Sequence, residues 1–476
     1  MMKAKSIVKG LAFVLFLYVI YAVVTAVALF YLPIEEMDEA SRSTAHVWKD
    51  QHSKDDRVLL LEDGYNSGIA RIKMIQEARN SIDIAYYSIG KGESTDFVLG
   101  ALFQAADRGV RVRVLLDGIC HNLRGKRSDV RYALASHPNI QLKYYEPFTL
   151  LKPWTWNNRL HDKIMMADED LAIIGGRNIG DKYLAKTPSD DFVYDRDTIV
   201  FNETQRKDSV IIPMKNYMNE LWKHPYTKTV FQNLSEREKE KGERVRDRLK
   251  NKYQKAKEIQ NEFVSPLFQW KTSTVPAHKV AFIHNPIERF HKTPFVWESL
   301  ISLGKQAHTS IVIQSPYIVP TKNMEKYLPR KRNEKIETTV LTNSLISTPN
   351  ALAFAGYMAS RDRVVQTGTT LYEYGGPHSI HGKSIVYDQS LSVVGSFNID
   401  SRSVFLNTES VLIIDSESFA SELTKAIDDK VEYSALIAKD QQYVRKPYEE
   451  KRKAPFLKSA FLRVLSKMTV LWKELI

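Results

Sequence analysis

Hydrophobic and polar positions fall into several regimes along the chain. From Leu11 to Leu32 (LAFVLFLYVIYAVVTAVALFYL) no charged residue occurs. At about 1.5 Å of rise per residue such a helix reaches about 33 Å, enough for a hydrocarbon core of about 30 Å. A polar stretch, about 35–56, follows, and from Val58 a different pattern begins. Ser81–Ser88 (SIDIAYYS) alternates as a strand does, Phe97–Arg108 has helical spacing, and Val110–Leu116 (VRVRVLL) alternates again. Strands interleaved with helices of this length indicate βαβ units. The second half repeats the order. Ser310–Ser315 (SIVIQS) reads as a strand before Pro316, a Lys/Arg-rich helical or loop stretch follows, and Thr338–Thr342 is the next strand. Between the halves, 235–264 is highly charged and nearly free of Gly and Pro, the pattern of a solvent-exposed helix. At the C-terminus Leu457, Phe461, Val464, Leu465, Met468, Leu471, Trp472 and Leu475 recur every three or four residues, with Lys458, Arg463, Lys467 and Lys473 largely between them. Two readings stay open for this basic amphipathic helix: a membrane-interface helix, or a terminal helix packed on the body. The expected organisation is a membrane anchor at 1–34, a first repeat at 57–232, a charged helical linker at 233–264, a second repeat at 278–435 and the amphipathic helix at 454–476.

Composition changes this picture little, and charge somewhat more. The 476 residues are 43% hydrophobic and 26% charged, which is globular and excludes a disordered chain. The formal net charge of +12 favours anionic partners, whether phospholipid headgroups, nucleic acid or anionic substrates, although solubility alone would account for it. The single cysteine, Cys120, excludes an intrachain disulfide and a cysteine zinc cluster, and is expected to be buried and inert. Lys3, Lys5 and Lys9 precede the apolar run, whereas Glu35, Glu36, Asp38 and Glu39 follow it. That asymmetry keeps the N-terminal side in the cytoplasm and places the rest of the chain outside. The run exceeds the ~7–15 residues of a signal peptide core, so it reads as an uncleaved single-pass anchor.

The chemistry lies in a duplicated motif. His161-Asp-Lys-Ile-Met-Met-Ala-Asp168 has the form HxKxxxxD, and so has His381-Gly-Lys-Ser-Ile-Val-Tyr-Asp388. The first continues Leu171-Ala-Ile-Ile-Gly-Gly-Arg-Asn178 and the second Leu391-Ser-Val-Val-Gly-Ser-Phe-Asn398. The two blocks therefore match without a gap from histidine to asparagine. One HxKxxxxD is weak on its own; two gap-free copies, each followed by Gly-x-x-Asn, are not a coincidence of composition. In a strand, residues i and i+2 share a face, so His161 and Lys163 point together, as do His381 and Lys383. Gly176 and Ser396 are small enough to let a phosphate approach the backbone, and Asn178 and Asn398 can offer amide donors. Asp168 and Asp388 fall at strand ends and are expected to be structural rather than catalytic.

A phosphodiester needs a nucleophile, positive charge on its oxygens and an acid for the leaving alkoxide. Two His, two Lys and two Asn supply all three if the repeats meet about a twofold axis, with the imidazoles facing each other across one cleft. One imidazole would attack phosphorus and form a phosphohistidine, and the other would protonate the departing alcohol. No metal or other cofactor is required.

These residues resemble the phospholipase D superfamily, whose duplicated HKD motif is the pattern above. The resemblance covers roughly 57–435. It implies an α/β fold of two similar sheet domains packed about a pseudo-twofold axis, here with an N-terminal transmembrane helix. The catalytic His carry over to His161 and His381, and the Lys to Lys163 and Lys383. Gly395-Ser-Phe-Asn-Ile-Asp-Ser-Arg-Ser403 with Leu406-Asn-Thr-Glu409 is similar to a signature of bacterial cardiolipin synthases and makes Glu409 a further candidate. Gln314-Ser-Pro-Tyr-Ile-Val-Pro320, Gly175–Gly180 and Asp195-Arg-Asp197 are similar to segments of the same enzymes. Many of them have two N-terminal membrane segments, where one is read here. The resemblance implies a phosphatidyltransferase of the bacterial cell membrane, acting on phospholipids such as phosphatidylglycerol and not on nucleic acid. Hydrolysis to phosphatidic acid, a membrane-tethered nuclease and an inactive lipid-binding scaffold are the alternatives. Only the resemblance makes His161 the nucleophile and His381 the acid.

Overall fold

The structure, a computed structural model, describes residues 2–31, 56–259, 261–263, 268–328, 335–445, 462, 465–469 and 473–475. Its frame is two nine-stranded sheets. The first runs, edge to edge, Val275–Pro276, Arg57–Leu61, Asp197–Phe201, Leu171–Gly175, Lys163–Ala167, Ser81–Tyr86, Arg111–Asp117, Ile140–Tyr145, Thr227–Thr229. The second runs Lys279–His284, Ser410–Asp415, Leu391–Gly395, Ser384–Tyr387, Ser310–Gln314, Glu337–Asn343, Thr370–Tyr374, Ser434–Ile437, Tyr443–Arg445. Eight strands keep one order in both, so the duplication in the sequence is a duplication of topology and the expected α/β pair of similar domains is what forms. Ser81–Tyr86 pairs in parallel with Arg111–Asp117 and antiparallel with Lys163–Ala167; Ser310–Gln314 does the same with Glu337–Asn343 and Ser384–Tyr387.

Alternation along the strands decides the layers. Ile164, Met166, Ala172 and Ile174 share one core cluster with Val386, Val394, Leu412 and Ile414 of the other sheet. The two sheets thus bury their inner faces in one common core, which also takes Met214, Tyr217 and Leu221 of the helix Ile211–Lys223 and Phe419, Leu423 and Ile427 of the helix Glu417–Val431. Met165, Ala167 and Ile173 point the other way, into a core shared with the helices Gly64–Glu77, Glu93–Asp107 and Asp129–Ala135.

The linker helix spans Glu236–Ile259, and it is not simply solvent-exposed. Gly242, Leu249, Tyr253 and Ala256 are buried, and the helix packs on Glu93–Asp107 and Asp129–Ala135. Its apolar positions recur at three- and four-residue spacing within a sequence dominated by Lys, Arg and Glu. A Cβ on Gly100 would lie 2.6 Å from Leu249 O and from Tyr253 Cβ, so this helix pair packs backbone to side chain.

The apolar N-terminal run is also not one continuous helix. An α-helix covers Met2–Ala26 and a 3-10 turn covers Ala28–Tyr31. Within it, Ile7–Ala26 is long and apolar enough to cross a membrane and is not buried in the body. Phe30 leaves that line because it has a better partner: it is buried against Phe290 and His291, at ring distances of 6.3 and 5.8 Å. Most of the C-terminal amphipathic segment at 454–476 lies outside the described residues. Of those described, Leu462 is buried, and Leu475 O accepts a hydrogen bond from Arg402 Nε at 3.0 Å. Cys120 is half-buried rather than buried.

Candidate active site

Each histidine motif opens an antiparallel hairpin, Lys163–Ala167 with Leu171–Gly175 and Ser384–Tyr387 with Leu391–Gly395. Asp168 and Asp388 turn those hairpins from left-handed backbone conformations, φ 52° and 50°. Asp168 accepts from the backbone N–H groups of Arg79, Asn80 and Ser81 at 2.8–2.9 Å. Asp388 accepts from those of His308, Thr309 and Ser310. Both carboxylates bind the start of the neighbouring antiparallel strand, at the opposite end of the motif strand from the lysine.

Ahead of each hairpin the chain crosses to the opposite repeat. Leu160 forms a parallel bridge with Thr408, and Ser379–Ile380 pairs in parallel with Val193–Tyr194. The N–H of His161 donates to Thr408 O at 3.3 Å, and that of His381 to Tyr194 O at 2.6 Å. The residue after each acceptor is an acid, Glu409 in one case and Asp195 in the other. Nδ1 of His161 lies 2.8 Å from Glu409 Oε1, and Nδ1 of His381 lies 2.5 Å from Asp195 Oδ2. Each imidazole is therefore braced by a carboxylate of the other repeat. With the proton assigned to Nδ1 by that hydrogen bond, Nε2 is left as the reactive nitrogen.

Two imidazoles, two lysines and two acids share this place. Lys163 and Lys383 are buried, and each donates to the carbonyl of its own histidine. Lys383 Nζ also lies 2.6 Å from His381 Nδ1 and 3.8 Å from Asp195 Oδ2. Burial, and then the two ammonium groups, push the His161 pKa well below its ordinary value. Burial and Lys383 push His381 down to about 3. Burial lowers Lys163 to about 7 and Lys383 to about 8. Lys383 acts on His161 and Lys163 acts on His381, so the two motifs form one electrostatic cluster. The acids differ. Burial pushes Glu409 up to about 7 against the pull of Lys163, whereas Lys383 and His381 overcome burial at Asp195 and hold it down at about 2.

The small residues after the hairpins have a use other than admitting phosphate. A Cβ on Gly176 would lie 2.2 Å from Asp195 Oδ1, so glycine is what lets the acid sit there. At the equivalent position Ser396 Oγ donates to Glu409 Oε2 at 2.5 Å, and Ser403 Oγ and Asn407 Nδ2 donate to Oε1 at 2.8 and 3.3 Å. Asn178 Oδ1 accepts from Ser88 N–H at 3.1 Å, and its amide donates to the Tyr183 hydroxyl at 3.4 Å. Asn398 is buried with no hydrogen bond to its Oδ1. Tyr87 packs edge-on to His161, and Tyr183 edge-on to His381.

Asp195 escaped the sequence reading as a site residue. It follows Asn178 by 17 positions, while Glu409 follows Asn398 by 11. Both repeats have a short helix here, Asp181–Leu184 and Ser401–Phe405, and the longer loop after the first accounts for the difference. The available signal was the duplication itself: an acid after the second motif calls for one after the first. Among the described residues no cluster of His, Cys, Asp or Glu fits a metal ion.

Comparison with known proteins places this geometry. The family model for the cardiolipin synthase, phospholipase-D-like domain matches residues 71–222 and 300–431, one stretch in each repeat. The chain belongs to this branch of the phospholipase D superfamily. It is 27% identical to cardiolipin synthase C of Escherichia coli over 414 residues, 79% of this chain and 85% of that protein. It is 23% identical to cardiolipin synthase 1 of Staphylococcus epidermidis over 401 residues, 84% and 73% of the two chains. Phosphatidylserine synthase of Haemophilus influenzae shares the fold, with a TM-score of 0.62 at 14% identity, over 91% of this chain and all of that one.

Proposed function

We propose that this protein transfers a phosphatidyl group from a glycerophospholipid to an alcohol, phosphatidylglycerol among them, and so makes cardiolipin in a bacterial membrane. The observation that carries the reading is the crossed bracing of two imidazoles beside two buried lysines. Nε2 of His161 attacks phosphorus with its lone pair while Glu409 holds the proton on Nδ1. The bond from phosphorus to the leaving alcohol breaks, and His381 gives that oxygen a proton. The acceptor alcohol then gives its proton to His381, its oxygen bonds to phosphorus, and the phosphorus–nitrogen bond to His161 breaks. Lys163 and Lys383 stabilise the charge on the non-bridging oxygens.

The division of roles follows the acids. Asp195, held down at about 2, is ionised throughout the working range and favours a proton on His381. An entering phosphate anion, set between the two ammoniums, weakens their repulsion of that proton. Glu409, pushed up toward neutrality, leaves His161 the more easily neutral ring, as a nucleophile must be. The apolar helix Ile7–Ala26 anchors the enzyme as a single span, and Lys3, Lys5 and Lys9 at its N-terminal end favour a catalytic body outside the cytoplasm.

The test is the purified full chain in vesicles of phosphatidylglycerol, with products resolved by mass spectrometry. Cardiolipin plus glycerol is the expected result. Phosphatidic acid alone would make the protein a hydrolase, and no lipid turnover would remove the reading altogether.

A further inference from the structure

The loop at 147–157, between the strand Ile140–Tyr145 and the first histidine motif, carries an apolar tip. Phe148, Leu150 and Leu151 are 50%, 57% and 77% exposed. A soluble surface seldom gathers such side chains in one place without a partner. Lys152 beside them is exposed, and Phe148 stacks on Trp156 at 5.4 Å.

This tip does not stand alone: it lies along the N-terminal helix. Tyr18 OH donates to Leu150 O at 3.2 Å, and Tyr21 OH to Leu151 O at 2.7 Å. Asn157 Nδ2 donates to Ala26 O at 2.6 Å, where the helix ends. Tyr18 precedes Ala26 by eight residues, or about 12 Å of helix axis. The loop therefore runs down the last two turns of the apolar span.

A non-helical segment can enter lipid only if its backbone polar groups find partners inside the protein. Here four successive carbonyls do so. Trp156 Nε1 donates to Thr149 O at 2.9 Å, the two tyrosines serve Leu150 O and Leu151 O, and Thr155 Oγ1 serves Lys152 O at 2.8 Å. An exposed loop in water has no need of this.

We infer that the loop at 147–157 inserts into the lipid leaflet beside the anchor helix and docks the catalytic body on the membrane. The inference rests on the membrane-anchored reading above. Its occupant is the bilayer itself: apolar side chains reach the acyl layer, Trp156 sits toward its boundary, and Lys152 turns to the headgroups. The insertion is stiffly joined to the chemistry. Arg159 Nη2 donates to Thr155 O at 2.7 Å and Nη1 to Asp117 Oδ1 at 3.2 Å, while Leu160 N–H donates to Asp117 Oδ2 at 3.0 Å. His161 follows directly, so the loop fixes how the first histidine meets the lipid surface.

The experiment uses the full chain in vesicles of phosphatidylglycerol and phosphatidylcholine. With Cys120→Ser as background, Leu150→Cys is labelled with an environment-sensitive fluorophore, and Lys425→Cys serves as an exposed control. The label at 150 should shift to the blue and be quenched by spin-labelled acyl chains, whereas the control should not. A label at 150 as wet and unquenched as the control would overturn the insertion. The double variant Leu150→Asp/Leu151→Asp should lose tenfold or more in turnover of vesicle lipid but stay within about twofold on a monomeric short-chain phospholipid. Equal losses on both substrates would mean a folding role and would overturn docking. Quenching at 150 in a parent protein that turns over no lipid would leave the insertion standing and remove the proposed activity instead.

Discussion

The two repeats share eight strands in one order and one motif, yet they set their histidines in different surroundings. In the first, His161 leans on Glu409, a carboxyl shared by three neutral donors and pushed up to about 7. In the second, His381 meets Asp195 at 2.5 Å with Lys383 at its shoulder, and that acid is held at about 2. Lys163 differs from Lys383 too, since its ammonium lies over the Tyr87 ring at 5.5 Å rather than against an imidazole nitrogen. Duplication supplied a symmetric pair, and two changes of acid environment made the halves unequal. The proposed two-step transfer would use that inequality, with one ring free of its proton while the other holds one.

The sharpest way to break the comparison is to remove each ring. His161→Ala and His381→Ala should both lower steady-state turnover by about 10⁴-fold or more, as removal of a nucleophile or its acid does. They should differ in trapping. With a labelled phosphatidyl donor bearing a good leaving group, His381→Ala should still accumulate phosphohistidine and His161→Ala none. Label on His381 in the His161 variant, with none in the reciprocal case, would reverse the roles.

Neutralising the acids should have the next largest effect. Asp195→Asn and Glu409→Gln should each cost roughly 10²–10⁴-fold in kcat, within the range of general acid–base contributions. The Asp195→Asn loss should shrink as the leaving alcohol becomes more acidic, because a good leaving group needs less help. The Glu409→Gln loss should not. Parallel dependence on the leaving group in both variants would erase the asymmetry drawn here.

The pH profile should show the same contrast more mildly. Glu409 gains its charge as pH rises through about 7, so kcat/KM should climb there. Lys163 and Lys383 lose theirs as pH rises through about 7 and 8, so the profile should then fall. The apparent values belong to the cluster as a whole. Glu409→Gln should remove the rising limb, and Lys383→Arg, which keeps its charge, should move the falling limb upward.

The hairpin aspartates should give the smallest effect and no asymmetry in chemistry. Asp168→Ala or Asp388→Ala removes several backbone hydrogen bonds and places alanine at a positive φ, so each should cost about 1–3 kcal/mol in chemical denaturation. Partial burial works against the charge of Asp388, but the N–H groups of Thr309, Ser310 and His308 hold its pKa at about 2. Its contribution is therefore present above about pH 4 and lost as pH falls toward 2. The surviving folded fraction should keep its trapping behaviour.

What the sequence disclosed follows from how locally each feature is written. The two His/Lys pairs, the hairpins and the repeated sheet were legible because eighteen positions match without a gap. Asp195 was not, because a longer loop after the short helix Asp181–Leu184 moved it six positions out of register with Glu409. Gly176 was read as room for phosphate, when the nearer demand is room for that acid. The buried face of Glu236–Ile259 was hidden by its charges. Phe148–Leu151 carries no period at all, and only the partners of its carbonyls distinguish it from an ordinary exposed loop.

The exchange of acids between the repeats also acts as an interlock during synthesis. The first repeat leaves the ribosome with its histidine and lysine in place, but the carboxylate that orients that histidine lies 248 residues further on. The second repeat in turn depends on Asp195, already made. A half-built or half-unfolded chain therefore holds no fully braced pair of histidines, and neither repeat carries the complete site by itself.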